Sequence, residues 1–401
     1  MVAKLPHNPR VILAPGDPAL AAEIARVLGA PGLPVGDWFI KLEGLTAGQA
    51  IRLNGLAVGH GGGALLHDKE GNRADAILRV PGDCLPLFLE VVGNDAAVGP
   101  VVAEAIRATT EAYGRSTFSL VCGGQTLAVG RRTLLMGVVN VTPDSFSDGG
   151  QFLDAVKAIE QGKRLAAEGA DILDIGGEST RPGAQPVEAE EECRRVLPVI
   201  EALAREVQIP LSIDTAKAVV ARRAFDAGAT MLNDVTALRG DPEMPALAAR
   251  SGVPVVLMHM QGTPRTMQAS PHYGDLMSEI VAYLRRSMAI AADAGVREDR
   301  VIVDPGIGFG KTLEHNLEIL RRLGELRSLG CPILVGPSRK RFIGTLLGDA
   351  PVTERLWGTA ATVAFAITRG AHILRVHDVA AMRQVALVAD AMVRECGPQS
   401  R

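Results

Sequence analysis

The sequence predicts an α/β protein in which a (β/α)8 TIM barrel follows a small N-terminal α/β domain. Eight short apolar runs, rich in Val, Ile and Leu, occur between residues 134 and 378, and longer amphipathic stretches lie between them. Runs that are apolar at successive positions are typical of strands buried on both faces of a parallel sheet. Eight strand–helix units fit a barrel, whose usual size is about 250 residues.

An open, doubly wound sheet is the alternative arrangement of such units. It would normally carry a glycine-rich nucleotide fingerprint after its first strand, and none follows the first run. The eight units and the missing fingerprint favour the barrel. The predicted strands are LLMGVVNV (134–141), DILDIGG (171–177), PLSIDT (210–215), MLNDV (231–235), PVVLMHM (254–260), VIVDPG (301–306), PILVGPS (332–338) and ILRVHD (373–378).

Residues 1–115 are predicted to form a small α/β domain, separate from a barrel domain over 116–401. Its predicted strands are VILAP, DWFIKLEGL, AVGHGGGALLH and DAILRVPG, and residues 97–114 read as a helix that ends at Gly114. The HGGG motif is interpreted as a glycine turn, because the chain lacks the G-x-S-x-G motif of esterases. Residues 116–133 contain GGQ between two alternating runs, which predicts a hairpin that closes the bottom of the barrel.

Composition narrows the class of protein. The net charge is -3 and aromatic residues make up 3% of the chain, which argues against nucleic-acid binding by a basic face or by base stacking. The five cysteines are scattered and form no metal-ligand pattern. No signal peptide or membrane helix is expected from the sequence. These features predict a reduced, cytoplasmic, soluble protein.

Most of the eight runs end in polar residues. In a barrel the carboxyl ends of the strands converge on one mouth, where the chemistry is done. Helix N-caps would explain Asp, Asn and Ser at these positions, but they do not require Lys, Arg or His. The polar residues at the run ends are Asn140, Asp174, Glu178, Asp214, Asn233, His259, Asp304, Ser338, Arg375 and His377.

Two glycine-containing segments follow late strands. DPGIGFGKT resembles a phosphate loop but fails its spacing, because Pro305 stands where the first glycine is required. In GPSRKRFIG, Ser338 is predicted as an N-cap, and Arg339, Lys340 and Arg341 fall in the first helical turn. Cations there oppose the helix dipole. The second segment therefore predicts an anion site.

The last strand and the central strands suit different parts of a ligand. Arg375 and His377, at spacing two, point to the same side and can both donate to a phosphate. With Asn140 and the STRPG loop (179–183), they predict a pyrophosphate site with Mg²⁺, which commonly takes few protein ligands. The carboxylate and amide edges that suit a guanidine-like heterocycle come from Asp214, Asn233 and Asp304.

Eight motifs in sequence order carry a resemblance to a known family. NVTPDSFSDGG, DIGGESTRPGA, SIDT, LNDV, LMHMQGTPRTMQ, DPGIGFGK, SRKRFIG and RVHDV resemble the dihydropteroate synthases of folate biosynthesis over about residues 116–395. The resemblance implies a (β/α)8 barrel. It also implies condensation of p-aminobenzoate with 6-hydroxymethyl-7,8-dihydropterin pyrophosphate, with release of pyrophosphate and help from Mg²⁺.

The resemblance also implies roles for individual residues. Those that would hold the pterin are Asp214, Asn233, Asp304 and Lys340. Those that would line the p-aminobenzoate site are Phe309, Pro182, Ser338 and Arg341, with the cationic turn Arg339–Arg341 suited to its carboxylate. Those that would bind the leaving pyrophosphate are Arg375, His377, Thr180 and Arg181, with Asn140 also serving the metal. Asp148 would pair with Arg181 when the two loops close over the substrates.

Two other functions are weighed against this one. A pterin-dependent methyltransferase would share the barrel and the pterin cradle but would not need the Thr180–Arg181 and Arg375–His377 pyrophosphate clamp. In the second alternative the barrel only binds a pterin or a partner, and the N-terminal domain carries the activity. The barrel, however, has all of the polar residues named above for the synthase reaction, which argues against this alternative. The resemblance further implies a homodimer, and residues 356–370, apolar on more than one face, are a candidate contact surface.

Overall fold

A computed structural model describes residues 2–13, 36–142, 151–180 and 184–394. The chain forms two compact units. The first contains Met1–Ser116 and Gly324–Gly330, and the second contains Thr117–Leu323 and Cys331–Arg401. The chain therefore passes from the first unit to the second within one residue of the predicted boundary, and a short later segment belongs to the first unit.

The first unit is built on a four-stranded antiparallel sheet with the order β1-β2-β4-β3. Strand β4 buries every second residue, from Ala74 to Val80, so one face of this strand packs on a core. The strands are β1 (Arg10–Leu13), β2 (Asp37–Thr46), β3 (Gly63–Lys69) and β4 (Arg73–Pro81), and the described helices are α1 (Ala47–Gly59), α2 (Leu85–Asn94) and α3 (Gly99–Gly114).

One sequence-based prediction in this unit is wrong. The run AVGHGGGALLH was expected to be a strand, but its first residues form the end of α1. Thr46 caps this helix by accepting a hydrogen bond from the backbone N–H of Gln49, whose side chain in turn accepts from the backbone N–H of Thr46. This reciprocal capping box starts a helix. It lies at the amino end of α1, whereas the glycines on which the strand prediction rested lie at its carboxyl end.

A fully buried ion pair belongs to the first unit. The Arg10 side chain is 0% exposed and donates to Glu325 over 2.8 Å and to Glu43 over 2.7 Å. The neighbouring backbone N–H of Val11 donates to the hydroxyl of Ser328 over 2.9 Å. These contacts are a physical reason why Gly324–Gly330 belongs to this unit.

The second unit is a (β/α)8 barrel, as predicted. Eight parallel strands follow the order β12-β11-β10-β9-β8-β7-β14-β13. A parallel bridge between Val303 and Ile333 joins the two ends of this sheet, which excludes an open sheet. The strands are β7 (Leu134–Asn140), β8 (Ile172–Gly176), β9 (Leu211–Asp214), β10 (Met231–Asp234), β11 (Val255–Met258), β12 (Val301–Asp304), β13 (Leu334–Val335) and β14 (Ile373–Val376).

The predicted hairpin is present at one end of this barrel. Strands β5 (Phe118–Cys122) and β6 (Gln125–Val129) pair antiparallel. Their buried residues share one apolar core with the first inward-facing residues of the barrel strands, such as Ile172 and Ile302. The hairpin therefore closes the barrel at the amino ends of its strands.

Helices follow the barrel strands and cover their outer faces. No helix in the described part of the chain is long and apolar enough to cross a membrane. The described helices of this unit are α4 (Gln151–Ala167), α5 (Ala189–Glu206), α6 (Ala218–Asp226), α7 (Met244–Ser251), α8 (Leu276–Ala294), α9 (Leu313–Arg321), α10 (Arg341–Leu346), α11 (Leu356–Thr368) and α12 (Val379–Val393).

The barrel interior changes from apolar to polar along several of its strands. Side chains two residues apart point to the same side. Ile302 lies in the apolar core near the hairpin, and Asp304, two residues later, lines the mouth. The same step leads from Ile373 to Arg375. The fold thus gathers the polar strand ends at one place.

The loop after β12 depends on a glycine with no room for a side chain. Gly306 has φ +68°, and a methyl group there would place its carbon 1.9 Å from the carbonyl oxygen of His259. We expect Gly306→Ala to lower the free energy of unfolding by at least about 3 kcal/mol, because backbone strain and a backbone clash add. Denaturant unfolding of both proteins measures the loss.

Gly252→Ala is the matched control for backbone strain alone. Gly252 has φ +66° and nothing within 4 Å of the added carbon. It should lose only about 1–2 kcal/mol. Equal losses in the two variants would contradict the clash at Gly306.

Candidate functional site

A polar cavity opens at the carboxyl ends of the barrel strands. It holds about 40 Å³, room for only a few water molecules. A ligand larger than a few water molecules would therefore have to displace some of the lining side chains. The predicted residues that line it are Thr180, Asp214, Asn233, Asp304, Phe309, Ser338, Lys340, Arg375 and His377, and the others are Val235, Met258, Gly306, Ile307 and Gly336.

Arg375 is the centre of a charged network across the barrel. Its Nε donates to Oδ2 of Asp174 over 2.6 Å, and its Nη2 donates to Oδ2 of Asp214 over 2.9 Å. The Asn233 amide donates to the same Asp174 oxygen over 3.0 Å. Asp174 is 0% exposed, so this carboxylate anchors a cation and an amide that both face the cavity.

Sequence reasoning placed Asp174 at a strand end but gave it no role in the site. The structure shows it just below the cavity, bound to two lining residues. The position of Asp174 within its strand could have revealed this. Asp174 pairs in register with Ser212 on β9, which comes two residues before Asp214, so Asp174 lies deeper in the barrel than Asp214. Asp174 therefore holds the side chains of Arg375 and Asn233 through hydrogen bonds.

Two cavity carboxyl groups hold protons more tightly than usual. Burial raises the pKa of Asp214 to about 7, against the lowering effect of Arg375. Burial likewise raises the pKa of Asp304 to about 6, opposed by a hydrogen bond that the backbone N–H of Gly306 donates over 2.7 Å. Both groups therefore titrate near neutrality, in a place where a ligand could exchange protons or hydrogen bonds with them.

Lys340 covers one side of the cavity. Its ammonium group donates to the carbonyl of Ile307 over 2.9 Å and lies 4.1 Å from the ring centroid of Phe309. Burial lowers its pKa to about 8. An aromatic face and a cation thus stand together, which suits a ligand that has both a ring and an anionic group.

The three consecutive cations do not share the first turn of a helix, contrary to prediction. Arg339 has φ +59° and its guanidinium pairs with Asp378. This left-handed residue reverses the chain, so α10 begins at Arg341 with Lys340 as its N-cap. Arg341 is exposed and is not among the cavity residues. Of the three, Lys340 alone lines the cavity.

Ser338 is not an N-cap, contrary to prediction. Its hydroxyl accepts a hydrogen bond from the backbone N–H of His377 over 3.2 Å and lies 3.0 Å from Nδ1 of the same ring. Burial and the nearby guanidinium of Arg375 lower the pKa of His377 to about 3. His377 is therefore neutral at ordinary pH, and it can offer a ligand an N–H but no charge.

The remaining predicted residues stand at the rim or outside the described chain. Asn140 is the last residue of β7 and is half-buried. It pairs in register with Gly176 on the neighbouring strand β8. No group of three or more His, Cys, Asp and Glu side chains suited to a metal occurs among the residues that the structure describes. The three predicted residues outside the described ranges are Asp148, Arg181 and Pro182.

A larger groove of about 590 Å³ lies at the other end of the barrel, beside the hairpin. If volume were the only criterion, this groove would be taken as the functional site. Its lining contains Phe225, Thr230 and Arg300, which precede or flank the amino ends of strands. Barrel enzymes work at the carboxyl ends, and that is where the titrating groups lie. The smaller cavity is therefore the candidate site.

Comparisons with known proteins show which proteins this chain is similar to. A family model described as "Pterin binding enzyme" matches residues 136–377. Dihydropteroate synthase of Synechocystis sp. is 52% identical over 68% of this chain and 94% of its own length. The Bacillus subtilis dihydropteroate synthase is 46% identical over 68% of this chain and 92% of its own.

Solved structures give the same result. Dihydropteroate synthase of Xanthomonas albilineans with 4-aminobenzoic acid is 47% identical, with a TM-score of 0.66 over 70% of this chain and 100% of that one. The same enzyme in complex with 7,8-dihydropteroate is 45% identical, with a TM-score of 0.63 over 69% and 100%.

Proposed function

The chain belongs to the dihydropteroate synthases, in the family of pterin-binding enzymes, and on that premise we propose that it joins p-aminobenzoate to 6-hydroxymethyl-7,8-dihydropterin pyrophosphate. The products are 7,8-dihydropteroate and pyrophosphate, so the chain is a transferase of folate biosynthesis. The observation that carries the proposal is the cavity itself, where carboxylates, cations and an aromatic ring meet at the barrel mouth.

The pterin lies on the carboxylates. Asp214 and Asp304 offer paired oxygens to the N–H groups of the pterin ring, and each ionised carboxylate can accept two donors side by side. Asn233 supplies an amide between them, held by Asp174. Lys340 closes this end of the cavity over Phe309. Because Arg375 bonds Asp214 before substrate arrives, it gives up that contact as the pterin binds.

The released guanidinium then meets the pyrophosphate. Arg375 presents a planar fork to phosphate oxygens, and His377 adds a neutral N–H beside it. Thr180 lines the cavity from the loop after β8. Together these groups stabilise the charge that develops on the leaving group.

Mg²⁺ fits the donors at this mouth. The amide oxygen of Asn140 is a hard ligand of the kind Mg²⁺ prefers, and substrate phosphates with water complete the usual shell. Asn140 would hold the ion at the end of β7. When bound, the ion neutralises charge on the pyrophosphate. Asn140, Arg375 and His377 would position the ion and the pyrophosphate next to each other.

The reaction needs no strong protein base. The bond between the pterin methylene carbon and the pyrophosphate oxygen breaks, and its electron pair leaves with pyrophosphate. The amine nitrogen of p-aminobenzoate forms the new C–N bond with its lone pair and then loses a proton. Phe309 lines the amine's ring site beside Ser338, and Lys340 attracts its carboxylate.

Metal removal tests the proposal. Purified protein with both substrates and Mg²⁺ should form dihydropteroate, measured by chromatography. Excess EDTA should lower the rate at least about 100-fold, because charge on the leaving group is no longer neutralised, and added Mg²⁺ should restore it. Product formation that is unchanged in EDTA would contradict the assigned metal, and no product under any condition would contradict the function.

Catalytic efficiency should fall as pH falls below about 7. The pKa values of Asp214 and Asp304 are raised to about 7 and about 6, and only the ionised forms accept two N–H donors. We expect kcat/KM for the pterin pyrophosphate to drop up to about tenfold per pH unit for each group. A profile between pH 5 and 9 measures this. Asp304→Asn should give a shallower fall, and a flat profile in the parent protein would be inconsistent with the proposal.

The enzyme works as a cytoplasmic homodimer in this proposal. Helices α11 and α12 pack together and leave apolar side chains exposed, with Trp357 at 79% and Met392 at 78%. Such a patch is typical of an interface. The four described cysteines form no disulfide among the residues that the structure describes, which suits a reducing compartment. The other exposed apolar residues of these helices are Phe365, Leu387, Val388 and Val393.

Charge in this patch should break the dimer. Trp357→Asp with Met392→Asp should convert a dimer to a monomer in sedimentation analysis, because two charges would be buried at the interface. Val156→Asp is the control, since Val156 is an exposed apolar residue on α4. A parent protein that sediments as a monomer, or a dimer in the double variant, would be inconsistent with this surface.

A further inference from the structure

The buried lysine of the DPGIGFGKT segment has no part in the function described above. Lys311 follows the glycine-rich turn after β12 and is 3% exposed. Its ammonium group lies 3.0 Å from Nδ1 of His259 and donates to the carbonyl of Phe309 over 2.9 Å. The carbonyl of His259 lies 3.4 Å away. A buried ammonium group is costly unless such partners surround it.

The arrangement joins two neighbouring loops of the barrel mouth. His259 directly follows β11, and Phe309 lies in the turn after β12. The backbone N–H of His259 also donates to the carbonyl of Asp304 over 2.9 Å. Lys311 therefore holds the Phe309 turn from behind, while Lys340 contacts the same turn from the cavity side through Ile307 and the Phe309 ring.

The partner of Lys311 is itself held firmly. The His259 ring packs against Tyr283, with centroids 4.8 Å apart, and against Tyr273 at 6.0 Å. Tyr273 donates its hydroxyl to the carbonyl of Gly310 over 2.7 Å. Burial and the adjacent ammonium keep the pKa of His259 well below its usual value. The ring is neutral, and its Nδ1 lies 3.0 Å from Nζ of Lys311, whose own pKa burial lowers to about 7.

We propose that Lys311 is a positioning residue for p-aminobenzoate, acting through its hydrogen bonds to Phe309 and His259, which fix the Phe309 ring that lines the amine site. The inference rests on the proposed function. Lys311 touches neither substrate, because it is not among the cavity residues. Its effect falls on the subsite that contains Phe309. The pterin carboxylates keep their own anchors, such as the N–H of Gly306 on Asp304.

Lys311→Met tests the proposal, because methionine keeps the length and removes the donors. We expect KM for p-aminobenzoate to rise about tenfold or more, since small misplacements of binding groups are costly. KM for the pterin pyrophosphate should change less than about twofold. A merely destabilised protein would not separate the two constants. Equal changes in both, or in neither, would overturn the proposal.

Asp390→Asn is the matched control for lost stability. Asp390 is buried at the other end of the barrel and accepts from the backbone N–H and hydroxyl of Thr133 over 2.7 and 2.8 Å. This variant should unfold at a lower temperature than the parent and keep both KM values. A rise in its KM for p-aminobenzoate would show that instability alone moves this constant, which would also overturn the proposal.

Hydrogen–deuterium exchange provides a readout that needs no activity. Lys311→Met should speed exchange in residues 305–311 and 259–268 at least about fivefold, while Asp390→Asn should not. Unchanged exchange in these segments would overturn the proposal whatever the kinetics. If the parent protein formed no dihydropteroate, the proposed function would fail on its own, and exchange would still report on the contact between the two loops.

Discussion

Arg375→Met should lower kcat/KM at least about 100-fold, because the leaving pyrophosphate loses the planar guanidinium that binds it. The same change lowers the free energy of unfolding by about 3–5 kcal/mol, since it leaves Asp174 fully buried without a charged partner. Steady-state kinetics and denaturant unfolding measure the two effects separately.

A second substitution distinguishes these effects. Arg375→Met combined with Asp174→Asn removes both charges of the buried pair, and the amide can still contact Asn233. Stability should return most of the way toward that of the parent, while activity stays low. Activity that recovers together with stability would mean that Arg375 serves the fold and not the pyrophosphate.

Asparagine in place of Asp304 lowers kcat/KM for the pterin pyrophosphate about 10- to 100-fold. The amide presents an NH₂ group where the pterin needs an acceptor, and a hydrogen bond to a charged group is worth about 1.5–3 kcal/mol. Calorimetric titration with the pterin pyrophosphate should show a matching loss of affinity. Folding is spared, because the other oxygen can still accept from Gly306.

Asp299→Asn is the control at the opposite end of the same strand. Asp299 is about half exposed, pairs with Arg297, and lies just before β12. Its replacement should change neither affinity nor rate. Comparable losses in the two variants would place the pterin somewhere other than the carboxyl ends of the strands.

The barrel was predictable because its strands are buried on both faces. Continuous apolar runs gave all eight strands and their order along the chain, and the polar residues at most of the run ends line the cavity or lie next to it. The register between Asp214 and Asn233 shows why: these neighbouring parallel strands end at the same level, so their polar ends converge. Nine of the predicted residues line one cavity for this reason.

The details that the sequence did not reveal depend on backbone conformation and long-range contacts. Nothing in SRKR indicates that Arg339 adopts a left-handed φ and turns toward Asp378, because Asp378 is distant in sequence. The pairing of Lys311 with His259 is equally non-local. Helix α1 was missed for a local reason, since its capping box lies outside the glycine-rich stretch.

The central claim is that this cavity couples pyrophosphate departure to attack by an amine. The most direct test is to measure pyrophosphate released from the pterin pyrophosphate with Mg²⁺, with and without p-aminobenzoate, beside the dihydropteroate formed. The account predicts one pyrophosphate for each dihydropteroate and little release without the amine. Binding of the pterin pyrophosphate without any release in the presence of p-aminobenzoate would contradict it.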